Sequence, residues 1–199
     1  MTVASFRAVE GTLQVLKDLL GSALSRTDGL GGPERDVRIL GYRELKDPNQ
    51  PGSESLGLYL HRISVDPLGR NRYLPPSRDD LPPQPELPVN LHLLLIGWTR
   101  TTGLEAALLG WAMQYIGSAL DLDASHYGAV DPEWSEQERV QLLPEELSTE
   151  DLLRIWDGMP RDYMLSTPYV VKTLRLSPAV EVTAGPPVRS VTHVLERRE

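Results

Sequence analysis

Val89–Trp98 reads VNLHLLLIGW, and the fold of the chain depends on this stretch. Its side chains alternate between two faces, with Val89, Leu91, Leu93 and Leu95 on one and Asn90, His92, Leu94 and Ile96 on the other. A period of two is the pattern of a β-strand. Because both faces are apolar toward its end, the stretch predicts a central strand that is covered on both sides. A helix is the alternative, since leucine also favours helices.

Further strand patterns lie on both sides of this stretch. In Leu56–Val65, three leucines at every second position alternate with Tyr59, His61, Ile63 and Val65. Such alternation predicts a second strand. The shorter strand patterns are Val37–Tyr42, Arg139–Leu143, Tyr169–Leu176, Val180–Thr183 and Val188–Leu195.

Pro67–Pro88 separates the two clearest strands and contains 7 of the 17 prolines. Proline has no amide donor and a fixed φ, so neither a helix nor a central strand fits this segment. We expect a long extended loop, which is uncommon in a compact domain and is often functional.

Two segments have amphipathic helical patterns. Ser5–Ser25 has apolar residues at steps of three and four, namely Phe6, Val9, Leu13, Leu16 and Leu20. The motif Ser148-Thr149-Glu150-Asp151 is typical of a helix start, because a hydroxyl caps the exposed amides and an acid follows three residues later. Gly158 and Pro160 end this second helix.

Leu104–Leu120 has the strongest helical pattern and is apolar around most of its circumference. Only Glu105, Gln114 and Ser118 are clearly polar. A helix of this kind is either deeply buried or covered on its outer side by another chain.

The order of these elements predicts one α+β domain, with a single mixed sheet flanked by about three helices. The length of 199 residues agrees with one domain. We assign residues 1–176 to this domain and residues 177–199 to a C-terminal β extension.

The composition excludes several classes of protein. There is no cysteine, which excludes disulfides, thiolate metal sites and a cysteine nucleophile. Neither a run of 18 apolar residues nor a leader-like N-terminus is present, so we expect no membrane partner. The net charge is −8, and a chain this acidic without a basic cluster is a poor nucleic-acid binder.

The negative charge is concentrated in one part of the chain. Residues 1–100 have 12 basic and 12 acidic side chains, whereas residues 121–162 have 3 basic and 12 acidic ones, a net charge of −9. This segment is either a solvated acidic face or a surface that docks a basic partner.

No motif of catalysis or metal binding is present. The four histidines are too far apart in sequence for a helical metal-binding pair, and no nucleophile elbow or phosphate-binding loop occurs. The sequence therefore predicts no catalytic residue, no cofactor and no metal. The alternative is a small-molecule enzyme that uses His61 or His92 with a carboxylate.

Two candidate interface sites remain. Arg70-Asn71-Arg72-Tyr73 is the one compact basic and aromatic cluster, and its guanidinium groups suit carboxylates on a partner. Trp134 lies among acidic residues and is a candidate interface anchor. The alternative for the cluster is a solvated turn. The other three tryptophans, Trp98, Trp111 and Trp156, are expected to lie in the core.

Several motifs in order resemble one protein family. They are Leu58–Ile63, Arg70–Arg72, Leu87–Leu95, Glu105–Met113, Leu147–Trp156 and Leu165–Val171. Taken together, residues 6–176 resemble the cap, or tube-terminator, family of contractile injection systems, the phage-tail-like particles that include virulence cassettes and antifeeding prophages.

The resemblance implies a tail-terminator-like fold and a structural, non-enzymatic role. It implies a six-fold ring of identical subunits on the end of the inner tube, which stops polymerisation and meets the last sheath ring. The expected partners are therefore other copies of the chain, the tube protein and the terminal sheath ring. Assembly is expected in the cytoplasm, on a particle that is either retained or released. Another tail-morphogenesis adaptor, bound to baseplate or sheath, is the alternative.

Overall fold

The computed structural model describes residues 4–32, 35–69, 73–74, 84–118, 121–128, 130–131, 134–136 and 138–179. Its helices are α1 (Arg7–Leu24), α2 (Tyr42–Lys46), α3 (Leu104–Gly117), α4 (Ala124–Tyr127) and α5 (Thr149–Asp157). Its strands are β1 (Arg35–Leu40), β2 (Glu54–Val65), β3 (Tyr73–Leu74), β4 (Gln84–Pro85), β5 (Leu87–Trp98), β6 (Asp121–Leu122), β7 (Val140–Pro144) and β8 (Ser166–Leu176).

Six of these strands form one mixed sheet in the order β1-β2-β5-β8-β7-β6. Only β1 and β2 are parallel to each other, and every other neighbouring pair is antiparallel. The predicted α+β class with a mixed sheet is confirmed. The described residues contain five helices rather than about three, because α2 and α4 are single turns without a periodic pattern.

The central strand is β5, as the alternating pattern predicted. It is buried from Pro88 to Trp98 and pairs along its length with β2 and β8. The helical alternative for this stretch is wrong. A bulge in β2 places Leu60 opposite Leu93 and Arg62 opposite His92, so His61 is an extra residue in the ladder.

The first face of the sheet carries the larger core. Leu91, Leu93 and Leu95 of β5 pack there against α1 and α3, together with apolar residues of β2 and β8. The first turn of α3 lies close to β5, because a Cβ at Gly97 would be 2.6 Å from the Glu105 Cβ. Glycine at this position thus permits close approach of helix and strand.

The second face carries a smaller core. Leu94, Ile96 and Trp98 of β5 pack there against Trp156 of α5 and Leu45 of α2. The predicted Ser148 cap is present, since its hydroxyl oxygen accepts a hydrogen bond from the Asp151 amide at 3.0 Å. α5 therefore begins and ends where the sequence predicted and covers one end of this face.

The predicted stripe of α1 needs a correction. Phe6 precedes the helix and is 79% exposed, and Val9 and Leu13 are only partly buried. The buried side includes small residues instead, namely Ala8, Gly11 and Thr12, in addition to Val15, Leu16, Leu20 and Leu24. Small residues face inward because a neighbouring loop comes close: a Cβ at Gly11 would lie 2.5 Å from Val130 Cγ1.

Other predictions differ from the structure or lie outside it. Residues 121–136, in the acidic segment, have no predicted helix or strand, but they contain β6 and α4. Within Pro67–Pro88, β3 and β4 form a separate two-stranded sheet. Val180–Thr183 and Val188–Leu195, and hence most of the predicted C-terminal extension at 177–199, lie outside the described residues.

Candidate functional site

Of the predicted interface residues, Arg70, Asn71 and Arg72 lie outside the described part of the chain, and of Tyr73 only the backbone in β3 is described. Trp134 is 8% exposed and stacks on Tyr127 with ring centroids 3.7 Å apart. Its side chain is thus part of the core of this chain, and an interface role for it stays a prediction.

Contacts of Tyr127 and Asp131 hold the part of the chain around Trp134 against α1. The hydroxyl groups of Tyr127 and Thr12 are 2.8 Å apart, which links α4 to α1. Burial raises the pKa of Tyr127, so this hydroxyl stays protonated. Asp131 accepts a hydrogen bond at 2.8 Å from the Ser5 amide. Part of the acidic segment is therefore structural, because its side chains fix the start of α1.

Other carboxylates of the acidic segment are exposed on or next to α5. Five exposed acidic residues lie there, namely Glu146, Glu150, Asp151, Asp157 and Asp162. Leu153 and Tyr163 are exposed among them by 45% and 48%. Leu153, Asp157, Asp162 and Tyr163 line one open cleft, together with the basic side chains of Lys46, Arg100 and Arg161.

A buried polar cluster lies next to the β7–α5 connection. His92 of β5 is 6% exposed, and its Nδ1 is 2.7 Å from Oε1 of Glu145. Its Nε2 is 2.8 Å from the Ser64 hydroxyl oxygen. A neutral ring with its proton on Nδ1 satisfies both contacts, by donating to the carboxylate and accepting from the hydroxyl.

Arg62 and His61 complete this cluster. Nη2 of Arg62 lies 3.3 Å from Oε1 of Glu145 and 3.1 Å from Nδ1 of His92. The rings of His61 and His92 are in edge contact, with centroids 6.0 Å apart. Burial is the main cause that lowers the pKa of His61, which favours its neutral form.

The cluster bears on the enzymatic alternative, because it joins a histidine to a carboxylate. Ser64, His92 and Glu145 even have the connectivity of a Ser–His–acid triad. However, Ser64 lies within the paired strand β2, opposite Asn90, and not on the sharp turn that exposes a hydrolase nucleophile. Both ring nitrogens of His92 are occupied by protein groups. The cluster therefore fastens the β7–α5 connection to the central strand.

The sequence pointed to His92 only as an enzymatic alternative with an unspecified carboxylate, and its contact with Glu145 was missed. The two residues are 53 positions apart, so no local pattern relates them. His92 itself could have indicated the contact, because it is a polar residue in the most apolar stretch of the chain. A buried polar group needs a hydrogen-bond partner.

The outer face of α3 is a second surface of interest. Ala106, Ala107, Gly110 and Met113 are exposed, and Met113 by 47%. The side chains of Trp111 and Tyr115 are half-buried and stack with centroids 5.7 Å apart. Of the two alternatives for this helix, deep burial on all sides is wrong. The other alternative, cover by another chain, remains.

Within the ranges that the structure describes, no group of three or more His, Asp or Glu side chains is placed to hold a metal ion. In the same ranges, no helix is long and apolar enough to cross a membrane.

Residues 11–190 match the model of one protein family, described as the Pvc16 N-terminal domain. The chain belongs to the Pvc16 N-terminal domain family. This match covers most of the chain, and it confirms the predicted resemblance. A comparison with curated proteins finds no match for this member of the family.

Solved structures show the same fold as this Pvc16 N-terminal domain. One is the sheath/tube terminator of PVC, an extracellular contractile injection system, in its extended state, with a TM-score of 0.57 and 13% identity over 100% of this chain. Another is the tube-terminating cap of the anti-feeding prophage, with a TM-score of 0.55 and 11% identity over 92% of this chain. The chain spans 66% and 60% of those two proteins. The predicted tail-terminator-like fold is confirmed.

Proposed function

We propose that this protein is a structural cap that ends the inner tube of a contractile injection system. The observation that carries the proposal is the match of the whole chain to a sheath/tube terminator, together with its family membership. The outer face of α3 supports it, because an exposed apolar helix face is typical of a surface that another chain covers. We infer a non-enzymatic role from the same match.

As a cap, the protein forms a six-fold ring of identical subunits. A head-to-tail ring requires two different patches on each subunit. The outer face of α3 and the Pro67–Pro88 segment are the candidate patches for this contact. The ring sits on the distal tube end and meets the inner tube protein and the terminal sheath ring.

The native mass of the purified chain tests this proposal, alone and with short tubes. Six subunits of 22.2 kDa amount to about 133 kDa. We expect this mass in solution or, for a monomer, one ring on each tube end. A stable monomer that ignores tube ends would contradict the proposal.

Deleting the gene separates a cap from an adaptor of the baseplate. Without a cap we expect tubes of irregular length, because nothing stops their growth. Without a baseplate adaptor no tubes would form. The double variant His61→Ala/His92→Ala addresses an enzymatic role: a structural cap still assembles, apart from the stability lost with the buried cluster.

A further inference from the structure

The outer face of α3 continues into a groove at the edge of the sheet. The groove has a volume of about 500 Å³ and lies between the second half of α3 and strand β7. Most of its lining is apolar, including Met113 and Ile116 of α3 and Leu142 and Leu143 of β7. Because Met113 belongs to both surfaces, one partner can cover the outer face of α3 and the groove together.

Tyr169 of β8 brings an unpaired hydroxyl group to this groove. The residue lines the groove and is only 2% exposed. Burial raises the pKa of Tyr169, so the hydroxyl stays protonated. Among the residues that the structure describes, this hydroxyl has no hydrogen-bond partner. Buried polar groups are normally hydrogen-bonded, so the hydroxyl marks a place where a partner supplies the second group.

An aromatic side chain projects from the opposite edge of the sheet. Tyr42 begins α2, directly after edge strand β1, and is 63% exposed. The turn that carries it is held in place, because Leu45 is buried in the core of the second face. The Glu44 carboxylate also accepts a hydrogen bond from the Gly41 amide at 2.9 Å. An exposed tyrosine on a fixed turn is typical of an interface anchor, since it loses little conformational entropy on binding.

Tyr42 and the groove lie far apart on one subunit. In the sheet order β1-β2-β5-β8-β7-β6, strands β1 and β7 are four spacings apart, or roughly 19 Å at about 4.8 Å each. Tyr42 therefore cannot fill the groove of its own chain. Two different patches on opposite sides of a subunit are what a head-to-tail ring requires.

The charges around the two patches do not favour one sign. Asp121 lines the groove, but it also lines the adjoining cleft with Arg139 and Lys172. Next to Tyr42, α2 has two basic side chains and one acidic side chain. Apolar packing and the unpaired hydroxyl, rather than net charge, are therefore what the groove offers to a partner.

We propose that Tyr42 of one subunit inserts into the groove of a second copy, head to tail. Its ring packs beside Met113 and Leu143, and its hydroxyl forms a hydrogen bond with that of Tyr169. This inference rests on the proposed function, since it names the contact within the proposed ring. It keeps α3 as one of the two patches and assigns α2 as the other.

Cross-linking tests the contact directly, because the chain has no cysteine of its own. With a short thiol-to-thiol reagent, the double variant Tyr42→Cys/Met113→Cys should give a ladder of covalent oligomers. A mixture of the two single variants should give a dimer and no larger product, since each chain then has one thiol. The control Phe6→Cys/Met113→Cys moves one thiol to another exposed aromatic position and should give at least tenfold less product.

Removal of single hydroxyl groups tests the role of Tyr169. Tyr169→Phe should weaken association roughly two- to tenfold, the usual loss for one hydrogen bond. It should leave the denaturation midpoint unchanged, because the hydroxyl has no partner in the free chain. Tyr42→Phe should weaken association by the same factor, and the double variant no further, since both changes remove one shared bond. Native mass at several concentrations measures association.

The outcomes separate this inference from the cap proposal. Rings on tube ends without a cross-link between the two thiols would overturn the inference while the cap stands. Cross-linking of a chain that ignores tube ends would support the contact and contradict the cap. Neither rings nor cross-links would overturn both. Losses for Tyr42→Phe and Tyr169→Phe that add in the double variant would show that the two hydroxyls do not meet, and would overturn the assignment of Tyr42 to the groove.

Discussion

The two faces of the sheet share the central strand β5 but are held together differently. On the first face, Leu91, Leu93 and Leu95 join a continuous apolar core beneath α1 and α3. On the second face, the apolar contacts of Leu94 and Ile96 end at His92, where hydrogen bonds begin. Apolar contacts are non-directional, whereas hydrogen bonds fix a geometry. The first face therefore supplies stability, and the second fixes how the β7–α5 connection sits.

The largest expected effect comes from the first face. Leu93→Ala removes a fully buried side chain from the continuous core. We expect the free energy of unfolding to fall by about 2–5 kcal/mol, from lost burial and the cavity left behind. Denaturant unfolding measures it. The matched control Phe6→Ala, at a side chain that is 79% exposed before α1, should change it by about 0.5 kcal/mol or less. Equal losses would contradict the assignment of the core.

A smaller effect is expected from the second face. Glu145→Ala removes the partner of buried His92, and an unsatisfied buried polar group costs about 1–3 kcal/mol. Its neighbour Glu146 is exposed, so Glu146→Ala should stay within about 0.5 kcal/mol. Chemical denaturation of both variants makes the comparison. If they unfold alike, the cluster does not fasten the second face.

The cap of α5 should matter less again. Ser148→Ala leaves the Asp151 amide without its hydroxyl acceptor, which costs about 1 kcal/mol. Thr149→Ala, one residue along on the exposed first turn, is the control. Thermal unfolding followed by circular dichroism measures both. A loss in Thr149→Ala as large as that in Ser148→Ala would show that capping is not the cause.

The smallest expected effect is on the pH dependence of stability, through His61 beside the buried cluster of the second face. Burial lowers the pKa of His61 in the folded protein below its ordinary 6.5, so the unfolded chain binds the proton more tightly. Stability from this group is therefore complete above pH 6.5 and is lost as the pH falls through the folded pKa. His61→Gln should flatten the loss of stability that begins as the pH falls below 6.5. Identical pH profiles for the two proteins would contradict this origin.

Local patterns predicted the elements well, and the contacts between distant residues poorly. The period of two was sufficient to predict β5 and β2, and the Ser148 motif was sufficient to predict the start of α5. Both patterns depend only on residues that are neighbours in sequence. The prediction of which side of α1 faces inward was wrong in part. Gly11 and Thr12 face inward, and they let Val130 and Tyr127 come close. The His92–Glu145 contact was missed for a related reason, because only the fold brings β5 and the β7–α5 connection together.

The sequence by itself determined the α+β class, the central strand and the likeness to tube terminators. The class and the strand follow from the order of apolar periods, which a chain carries in any environment, whereas the likeness rests on the resemblance of several ordered motifs to a known family. The tertiary structure alone decided which polar residues meet and which apolar ones stay exposed. It buried Trp134 against Tyr127, joined His92 to Glu145 and left the outer face of α3 uncovered. The reason is that burial and pairing depend on the approach of segments far apart in sequence, whereas periodicity depends on adjacent residues.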